Sequence, residues 1–303
     1  MQKEKVVVTG GAGFIGSHLA AALITEGYDV HVLDNLSNGS KDRIPEHAEF
    51  HDIDILDIAR VQKVVLGTSY VFHCAANASV QYSLAHPVES NAVNVQGTLH
   101  LLQACAQAKV KRLVYPTSAS TYGASQSVPL VETEPRSPLS PYAAQKWMGE
   151  IYSKLWSTTT GLSTVCLLYF NVYGPGQSPH GVYASVIPKF IALRAAGKPL
   201  TVTGDGSQTR DFVHVRDVVR ANLLAATSDR VGAGEVINIA SGVESTVAAV
   251  ARLIGGEISY IPLPLEVRRS CADISKAKKI LGWEPTVTLE QGIAELKALQ
   301  HLK

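Results

Sequence analysis

The stretch Val6-Val7-Val8-Thr9-Gly10-Gly11-Ala12-Gly13-Phe14-Ile15-Gly16 is a short apolar run that breaks into glycines and then into a helical pattern. This order predicts a strand, a tight turn and the start of a helix. Gly10 permits the turn, Gly13 lets the backbone approach a diphosphate, and Gly16 lets the helix pack closely on the strand. The N-terminus of such a helix offers free N–H groups and a positive dipole end to phosphates. The glycine triplet alone would also fit an ordinary strand–helix turn.

The residues after this turn continue the pattern of a nucleotide-binding unit. A helix is predicted over 14–26, closed by Gly27, and a second apolar run over 30–33 ends at Asp34. An acid at the end of the second strand suits a ribose 2′-hydroxyl and repels a 2′-phosphate. The pattern therefore favours NAD over NADP as the cofactor.

Strands and helices then alternate through the first half of the chain. Further strands are predicted over 48–53, 70–76, 112–115 and 163–170, with helical patterns over 57–66, 89–108 and 142–157. This alternation predicts an α/β fold with a doubly wound parallel sheet of the Rossmann type. After residue 170 the rhythm changes, which indicates a smaller C-terminal α/β substrate domain. We expect the NAD-binding domain to comprise 1–170 plus about 211–242, and the substrate domain about 171–210 plus 243–303.

Composition narrows the classes of partner. With 303 residues and a net charge of +1, the chain gives no reason to expect nucleic acid or a membrane surface as a partner. The four cysteines are scattered through apolar contexts, which predicts reduced core residues and no metal site, with metal binding as a remote alternative. The N-terminal residues carry no apolar signal region, so we expect a cytoplasmic protein.

One helix start carries candidate catalytic residues. Ser140 is predicted to cap a helix that begins at Pro141, and Tyr142 and Lys146 share one face of it because they stand four residues apart. Positive charge from the ammonium and from an oxidised nicotinamide is expected to lower the tyrosine pKa from its usual value of about 10. Such a tyrosine can remove a hydroxyl proton. A Tyr-x-x-x-Lys pair alone also fits a solvated helix face, but Ser118, at the end of the preceding strand, could hold the same substrate oxygen.

At this point the chain resembles the extended short-chain dehydrogenase/reductases and, among them, the nucleotide-sugar 4-epimerases. The resemblance covers nearly the whole chain. It rests on residues 9–16 (TGGAGFIG), 73–76 (HCAA), 94–98 (NVQGT), 142–146 (YAAQK), 169–175 (YFNVYGP) and 204–215 (GDGSQTRDFVHV).

The resemblance implies a bound NAD and a catalytic triad. Tyr142 would be the base, Lys146 would hold the nicotinamide ribose and Tyr142, and Ser118 would be the hydrogen-bonding partner. For Asn94 a purely structural role, in which its amide joins neighbouring loops, stays equally open. The implied cofactor-binding residues are Gly10, Gly13, Phe14, Ile15, Gly16, Asp34, Asn35, Asp54, Ile55, Ala75, Ala76, Asn94, Thr117, Tyr142, Lys146 and Phe170.

The resemblance also implies a UDP-sugar as substrate. Asn171 and Arg210 resemble the residues that grip its diphosphate, although Arg210 alone would also fit a surface charge. Two segments, 186–190 and 200–202, resemble the uridine wall. The implied substrate-binding residues are Ser79, Gln81, Ser118, Asn171, Val186, Thr201, Arg210, Glu266 and Ser270.

The chain departs from the family pattern just before residues 272–276. The family has Arg-x-Gly-Asp there, and this chain has Leu263 in place of the arginine and Glu266 in place of the acid. Either Arg268 or Arg269 reaches the phosphates instead, or Arg210 acts without that partner. At the sugar-pocket position, epimerases restricted to glucose and galactose carry a bulky tyrosine, and this chain has Ser270. We therefore expect a pocket that accepts N-acetylated sugars, unless Ser270 is only a loop serine.

The expected reaction is NAD-dependent C4 epimerisation of a UDP-hexose through a 4-keto intermediate. UDP-GlcNAc and UDP-GalNAc are expected substrates beside UDP-Glc and UDP-Gal. The related dehydratases have an Asp-Glu pair after the residue equivalent to Ser118, and this chain has Ala119 and Ser120, which cannot ionise. The alternatives are a UDP-uronate epimerase or decarboxylase, another NAD-dependent nucleotide-sugar oxidoreductase or dehydratase, and a nucleotide-binding regulator without turnover. By resemblance we expect a homodimer formed through the helices over 89–108 and 142–157.

Overall fold

The computed structural model describes residues 3–123, 125, 127–179, 185–262 and 268–302. The strands are β1 (Lys5–Thr9), β2 (Asp29–Asp34), β3 (Glu49–Asp52), β4 (Tyr70–His73), β5 (Arg112–Ser118), β6 (Thr164–Tyr169), β7 (Asn171–Tyr173), β8 (Leu200–Thr203), β9 (Thr209–His214), β10 (Ala233–Ile239), β11 (Glu244–Thr246) and β12 (Ile258–Ile261). The helices are α1 (Phe14–Thr25), α2 (Ile58–Val65), α3 (Val80–Ala85), α4 (Pro87–Asn91), α5 (Gly97–Gln107), α6 (Pro141–Thr160), α7 (Val186–Ala195), α8 (Val215–Thr227), α9 (Val247–Ile254), α10 (Ser275–Leu281) and α11 (Leu289–Leu299).

A seven-stranded parallel sheet runs through the described part of the chain, in the order β10-β6-β5-β4-β1-β2-β3. The predicted doubly wound parallel sheet is therefore confirmed. Val6, Val7 and Val8 of β1 are fully buried, as expected of a strand covered on both faces. One face packs against α1 and α8, and the other against α2, α5 and α6.

The strand order reverses between β1 and β4. In open α/β sheets the crevice beyond the carboxyl ends of the strands at such a switch point is where ligands bind. Gly10 follows β1 and Ala75 lies two residues beyond β4. The fold therefore brings the glycine turn and the end of β4 to one edge of the sheet.

Two smaller sheets follow in the second half of the described residues. They have the orders β11-β9-β7 and β12-β8, and a third apolar cluster joins them to α7, α9 and α11. The division into residues 1–170 plus about 211–242 and about 171–210 plus 243–303 stays a prediction. No helix in the described ranges has both the length and the apolar character to cross a membrane.

The helix expected over 89–108 differs most from its prediction. It is divided into α4, a π-helical segment at Ala92–Gln96, and α5. A π-helix inserts an extra residue per turn and is found most often at functional sites. The segment carries Asn94, whose contacts are described below.

Candidate active site

A cavity of about 910 Å³ opens at the carboxyl ends of β1, β4 and β5. Its wall brings together most residues that the sequence assigns to the cofactor and two of those assigned to the hexose, Ser79 and Gln81. The predicted cofactor residues on the wall are Gly10, Gly13, Phe14, Ile15, Gly16, Asp34, Asn35, Asp54, Ile55, Ala75, Ala76, Thr117, Tyr142 and Lys146.

The glycine turn fits against the end of β4 because it lacks side chains. Gly10 has a φ of +67°, and a Cβ there would lie 2.5 Å from the backbone nitrogen of Ala75. A Cβ on Gly16 would overlap the carbonyl oxygen of Gly10, so Gly16 permits the helix to pack on the turn itself and not on the strand. This corrects the predicted reason for Gly16.

The N-terminus of α1 faces this cavity without a competing side chain. Gly13 is the N-cap, no side chain accepts from the first turn, and the first turn holds no acid. The free N–H groups and the dipole therefore suit a diphosphate. These features fit a dinucleotide such as NAD.

Asp34 lies at the end of β2 and is 8% exposed. Its Oδ2 accepts from the backbone N–H of Ala12 at 3.0 Å, and its Oδ1 accepts from that of Leu36 at 2.8 Å. Each carboxylate oxygen can accept a further bond, so the fixed carboxylate suits a ribose hydroxyl. Nearby, the Asn35 amide donates to Asp54 at 2.9 Å and joins two further predicted cofactor residues.

Helix α6 places Tyr142 and Lys146 on the cavity wall. Ser140 caps the helix by accepting from Ala143 N–H at 3.2 Å, and Pro141 occupies the first turn, as predicted. The Lys146 ammonium is 6% exposed and donates to the Pro116 carbonyl at 2.9 Å. Burial lowers the pKa of Lys146 from 10.5 to about 8.

Ser118 and Ser120 set the hydrogen bonding of Tyr142. Ser118 Oγ accepts from the backbone N–H of Ser120 at 3.2 Å and from its hydroxyl at 3.0 Å, so its own O–H is left to donate to Tyr142. Burial raises the pKa of Tyr142, and the bond from Ser118 opposes that rise. The expected lowering of the tyrosine pKa is therefore not produced by Lys146, whose ammonium is directed at Pro116.

A buried ion pair lies one turn beyond Lys146 on the same helix. Glu150 accepts from the Thr117 hydroxyl at 2.6 Å and from the Arg136 guanidinium at 3.3 Å. Arg136 also stacks over the Tyr122 ring at 4.3 Å. The Glu150 carboxylate therefore fixes the Thr117 hydroxyl and stabilises the charge of Lys146. Burial lowers the pKa of Lys146, and Glu150 opposes that lowering.

Asn94 is 2% exposed, and its side chain makes three hydrogen bonds within the protein. Its Oδ1 accepts from Asn77 N–H at 2.7 Å, and its amide donates to the Asn77 carbonyl at 3.0 Å and to Gln145 at 2.8 Å. The side chain thus joins the loop after β4 to the catalytic helix. This geometry favours the structural role over direct contact with the cofactor.

A second cavity, of about 230 Å³, brings together four predicted substrate residues: Asn171, Val186, Thr201 and Arg210. The Asn171 amide donates to the Asp211 carbonyl at 3.0 Å. Two further polar atoms in the wall, Gln208 Oε1 and Thr201 Oγ1, are buried and have no hydrogen-bond partner among the described residues. A polar ligand or a water molecule could supply their missing hydrogen bonds.

Other predicted residues lie elsewhere. Phe170 is 4% exposed and packs near Tyr122, outside the cavity wall. Ser270 is partly exposed and lines neither cavity. Arg269, one of the two candidates for the missing arginine, is engaged with Glu244 at 2.8 and 2.6 Å. Leu263 and Glu266 lie outside the described residues.

Sequence reasoning missed three residues of these sites. Tyr169 lines the larger cavity, Ser120 orients Ser118, and Gln208 lines the smaller cavity. Tyr169 and Gln208 lie inside quoted motifs, which was the available signal. For Ser120 the signal is its spacing, because in a turn a hydroxyl can donate back to the hydroxyl two residues before it.

Comparison with known proteins identifies the family. The model of the NAD dependent epimerase/dehydratase family matches residues 6–240. The UDP-glucose 4-epimerase of Mycolicibacterium smegmatis is 36% identical over 305 residues, which cover 96% of each chain.

Two solved structures share the fold along almost their whole length. One is UDP-glucose 4-epimerase of Thermotoga maritima with UDP-glucose, at 39% identity and a TM-score of 0.93 over 98% of each chain. The other is UDP-N-acetylglucosamine 4-epimerase of Methanobrevibacter ruminantium with UDP-N-acetylmuramic acid, at 38% identity and a TM-score of 0.93 over 99% of each chain. The predicted resemblance is confirmed: the chain belongs to the NAD dependent epimerase/dehydratase family, and NAD is its cofactor.

Proposed function

We propose that this protein interconverts UDP-hexoses that differ in configuration at C4. The observation that carries the proposal is the position of Tyr142 and Lys146 on the wall of the same cavity that the glycine turn and α1 enter. A proton acceptor and a cofactor site thereby share one space, which a reversible oxidation at a sugar hydroxyl requires. The names of the relatives support this reaction.

In this proposal Tyr142 removes the proton from the sugar O4 and later returns it. Ser118 donates to the tyrosine oxygen and stabilises the phenolate. Because burial raises the pKa of Tyr142 and the Lys146 ammonium is directed at Pro116, phenolate formation would need the positive charge of an oxidised nicotinamide. Bound NAD supplies a reversible hydride acceptor for C4, so the 4-keto sugar can turn over in the cavity and be reduced on its other face.

In this proposal the residues of the larger cavity bind different parts of the cofactor. The first turn of α1, led by Gly13, holds the diphosphate, and Asp34 holds the adenosine ribose. Lys146 holds the nicotinamide ribose through Nζ. Asn94 would act indirectly, by fixing the loop after β4, and Phe170 lies outside the cavity wall, so its contact with the cofactor stays a prediction.

The smaller cavity is the proposed site of the UDP moiety. Arg210 and Asn171 would bind the diphosphate, with the fork of the guanidinium matched to phosphate oxygens. Gln208 Oε1 and Thr201 Oγ1 are acceptors that lack a partner among the described residues, and a uracil N–H can supply a donor. Acceptance of N-acetylated sugars is supported by the name of the Methanobrevibacter relative, whereas Ser270, the residue that the sequence assigns to the sugar pocket, lines neither cavity.

We also propose a homodimer formed through α6 and its neighbours. Met148, Ile151 and Leu155 form an apolar stripe on α6, at 42%, 49% and 46% exposure, and Val88 of α4 is 81% exposed. Contiguous exposed apolar surface of this kind favours association. A second copy of the chain would cover it.

The proposal is tested by product identification. The purified protein, without added NAD, is incubated separately with UDP-glucose, UDP-GlcNAc and UDP-glucuronate. We expect UDP-galactose from the first and UDP-GalNAc from the second, with no net reduced cofactor. Absence of product from all three would refute the proposal, and loss of CO₂ from UDP-glucuronate would assign the decarboxylase alternative instead.

The Tyr142→Phe variant is the matched control. It removes the phenolic oxygen and keeps the ring, so we expect retained nicotinamide and a rate lowered by about 10²–10⁴-fold. Turnover at the wild-type rate would exclude Tyr142 as the base. A product only from the unsubstituted sugars would refute acceptance of N-acetylated sugars and leave the epimerase proposal standing.

A further inference from the structure

Three side chains with metal-binding groups meet on the outer strands of the central sheet, away from both cavities. His31 lies on β2, and Glu49 and His51 lie on the edge strand β3. The register pairs His31 with Glu49 and Leu33 with His51, so all three side chains project from the same face. His31 precedes Asp34 by three residues, which places the cluster roughly 10 Å along the strand from the cofactor cavity.

The nitrogen and oxygen atoms of the cluster converge. His31 Nδ1 lies 2.8 Å from His51 Nε2 and 3.7 Å from Glu49 Oε2. His51 Nε2 lies 3.4 Å from Glu49 Oε1. The two imidazole planes are within 8° of each other, so their ring nitrogens face each other edge to edge.

Asp29 fixes the orientation of the buried ring. Its Oδ2 lies 3.4 Å from His31 Nε2, the nitrogen that faces away from the cluster. A carboxylate there accepts the Nε2–H, which leaves the lone pair of Nδ1 directed at His51 and Glu49. A carboxylate that orients a histidine in this way is the usual outer partner of a metal-binding imidazole.

We propose that His31, Glu49 and His51 bind one divalent transition-metal ion of the zinc class, with Asp29 as the orienting residue. Two imidazoles and one carboxylate form a recognised zinc donor set, with water completing the coordination. Mg²⁺ and Ca²⁺ prefer all-oxygen sites and are not expected to bind. The 2.8 Å contact between His31 and His51 would open to admit the ion, which would enter from the side of Glu49, since Glu49 is 62% exposed and the two histidine side chains are 10% and 21% exposed.

The charges around the cluster are compatible with a cation. Two cations, Lys5 and Arg60, act on His51, and the Lys5 ammonium is engaged with the carbonyls of Val64 and Leu66 at 2.6 and 3.2 Å. Arg60 is held by the carbonyl of Asp52 at 2.7 Å. The carboxylates of Asp29 and Glu49 offset these two positive charges.

The experiment uses untagged protein, freed of metal with a chelator and titrated with ZnCl₂ by calorimetry. We expect one equivalent to bind and the melting temperature to rise with zinc. CoCl₂ should give visible absorption of a site with nitrogen and oxygen ligands, and MgCl₂ should give no heat. Binding of Mg²⁺ with equal affinity, or a cobalt–thiolate band, would overturn the assignment.

Variants separate the site from other histidines. His51→Gln and Glu49→Gln should weaken zinc binding the most, and Asp29→Asn by about 10-fold. His47→Gln, which removes an exposed histidine two residues before Glu49, should leave the affinity unchanged. If His51→Gln fails to fold, the exposed Glu49 still gives a decisive variant. Unchanged affinity in Glu49→Gln, or an equal loss in His47→Gln, would refute the proposal.

Discussion

The contact between the glycine turn and the end of β4 can be tested with a pair of alanine substitutions on either side of α1. Gly10 and Gly27 both have positive φ, +67° and +89°. A Cβ at residue 10 would lie 2.5 Å from the backbone nitrogen of Ala75, whereas a Cβ at residue 27 would meet no atom within 4 Å. The two substitutions therefore share the same conformational cost, and only Gly10→Ala adds a clash inside the site.

The expected magnitudes follow from these two costs. An alanine in the left-handed region costs about 1–2 kcal/mol, which applies to both variants. Overpacking against backbone that cannot rotate away adds about 1–3 kcal/mol for Gly10→Ala alone. At about 2 °C per kcal/mol for a chain of this size, Gly27→Ala should lower the melting temperature by about 2–4 °C and Gly10→Ala by about 4–10 °C.

The assay combines thermal melting with measurement of the nicotinamide released from the purified protein. We expect the wild type and Gly27→Ala to carry equal amounts of NAD, and Gly10→Ala to have lost most of it, because the turn and Ala75 must separate to admit the methyl group. If Gly10→Ala keeps its NAD and has the same melting temperature as Gly27→Ala, the close approach of the turn to β4 does not form the cofactor site.

Three further predictions concern the catalytic helix and its surface. Ser120→Ala removes the hydroxyl that donates to Ser118 Oγ and keeps the backbone N–H donor, so the Ser118–Tyr142 hydrogen bond should weaken and the acidic limb of the pH–rate profile should move up by at most about 1 pH unit, whereas a merely structural defect would lower the rate equally at all pH values. Between pH 8 and 10.5 the unfolded Lys146 binds a proton that the folded one has lost, so the unfolding free energy of the wild type should rise by about 3 kcal/mol across this range. Lys146→Met should lack this rise. Denaturant titrations of the two proteins at several pH values measure the difference. Ile151→Glu should weaken the proposed dimer by at least about 10-fold in sedimentation, and Leu299→Glu, at a similarly exposed position on α11, should not.

Much of the fold follows from local patterns in the sequence. The apolar run over 6–8, the glycines and the acid at the end of β2 each act over a few residues, so periodicity and turn chemistry are enough to predict them. The same holds for Tyr142 and Lys146, because spacing of four on a capped helix fixes their common face. The strand ends were less predictable: β5 continues to Ser118, beyond the predicted end at residue 115, because pairing with β6 extends that far.

The features that the sequence did not predict depend on contacts between distant segments. The direction of the Tyr142 pKa is set by burial, which spacing on one helix does not report. The meeting of His31 with His51 requires the register of β2 on β3. Gln208 lies in a quoted motif, yet its unpartnered carbonyl becomes meaningful only when the smaller cavity is formed around it.

A series of hydrogen bonds links three of the sequence motifs, residues 9–16, 73–76 and 94–98. Ala75 N–H donates to the Thr9 hydroxyl at 3.2 Å, and Thr9 pairs with His73 Nδ1 at 2.9 Å. The other ring nitrogen pairs with the Thr98 hydroxyl at 2.9 Å, which itself donates to the Asn94 carbonyl at 2.7 Å. Burial lowers the pKa of His73 to about 3, so the ring is neutral, and the direction of the series gives its proton to Nε2. A neutral imidazole that accepts at one nitrogen and donates at the other can connect the turn after β1, the loop after β4 and the π-helical segment without placing a charge beside Lys146. Each donor in this series of hydrogen bonds needs the next acceptor, so a substitution in one motif leaves a buried polar atom of another motif without a partner. The three motifs therefore maintain the shape of the cofactor cavity together.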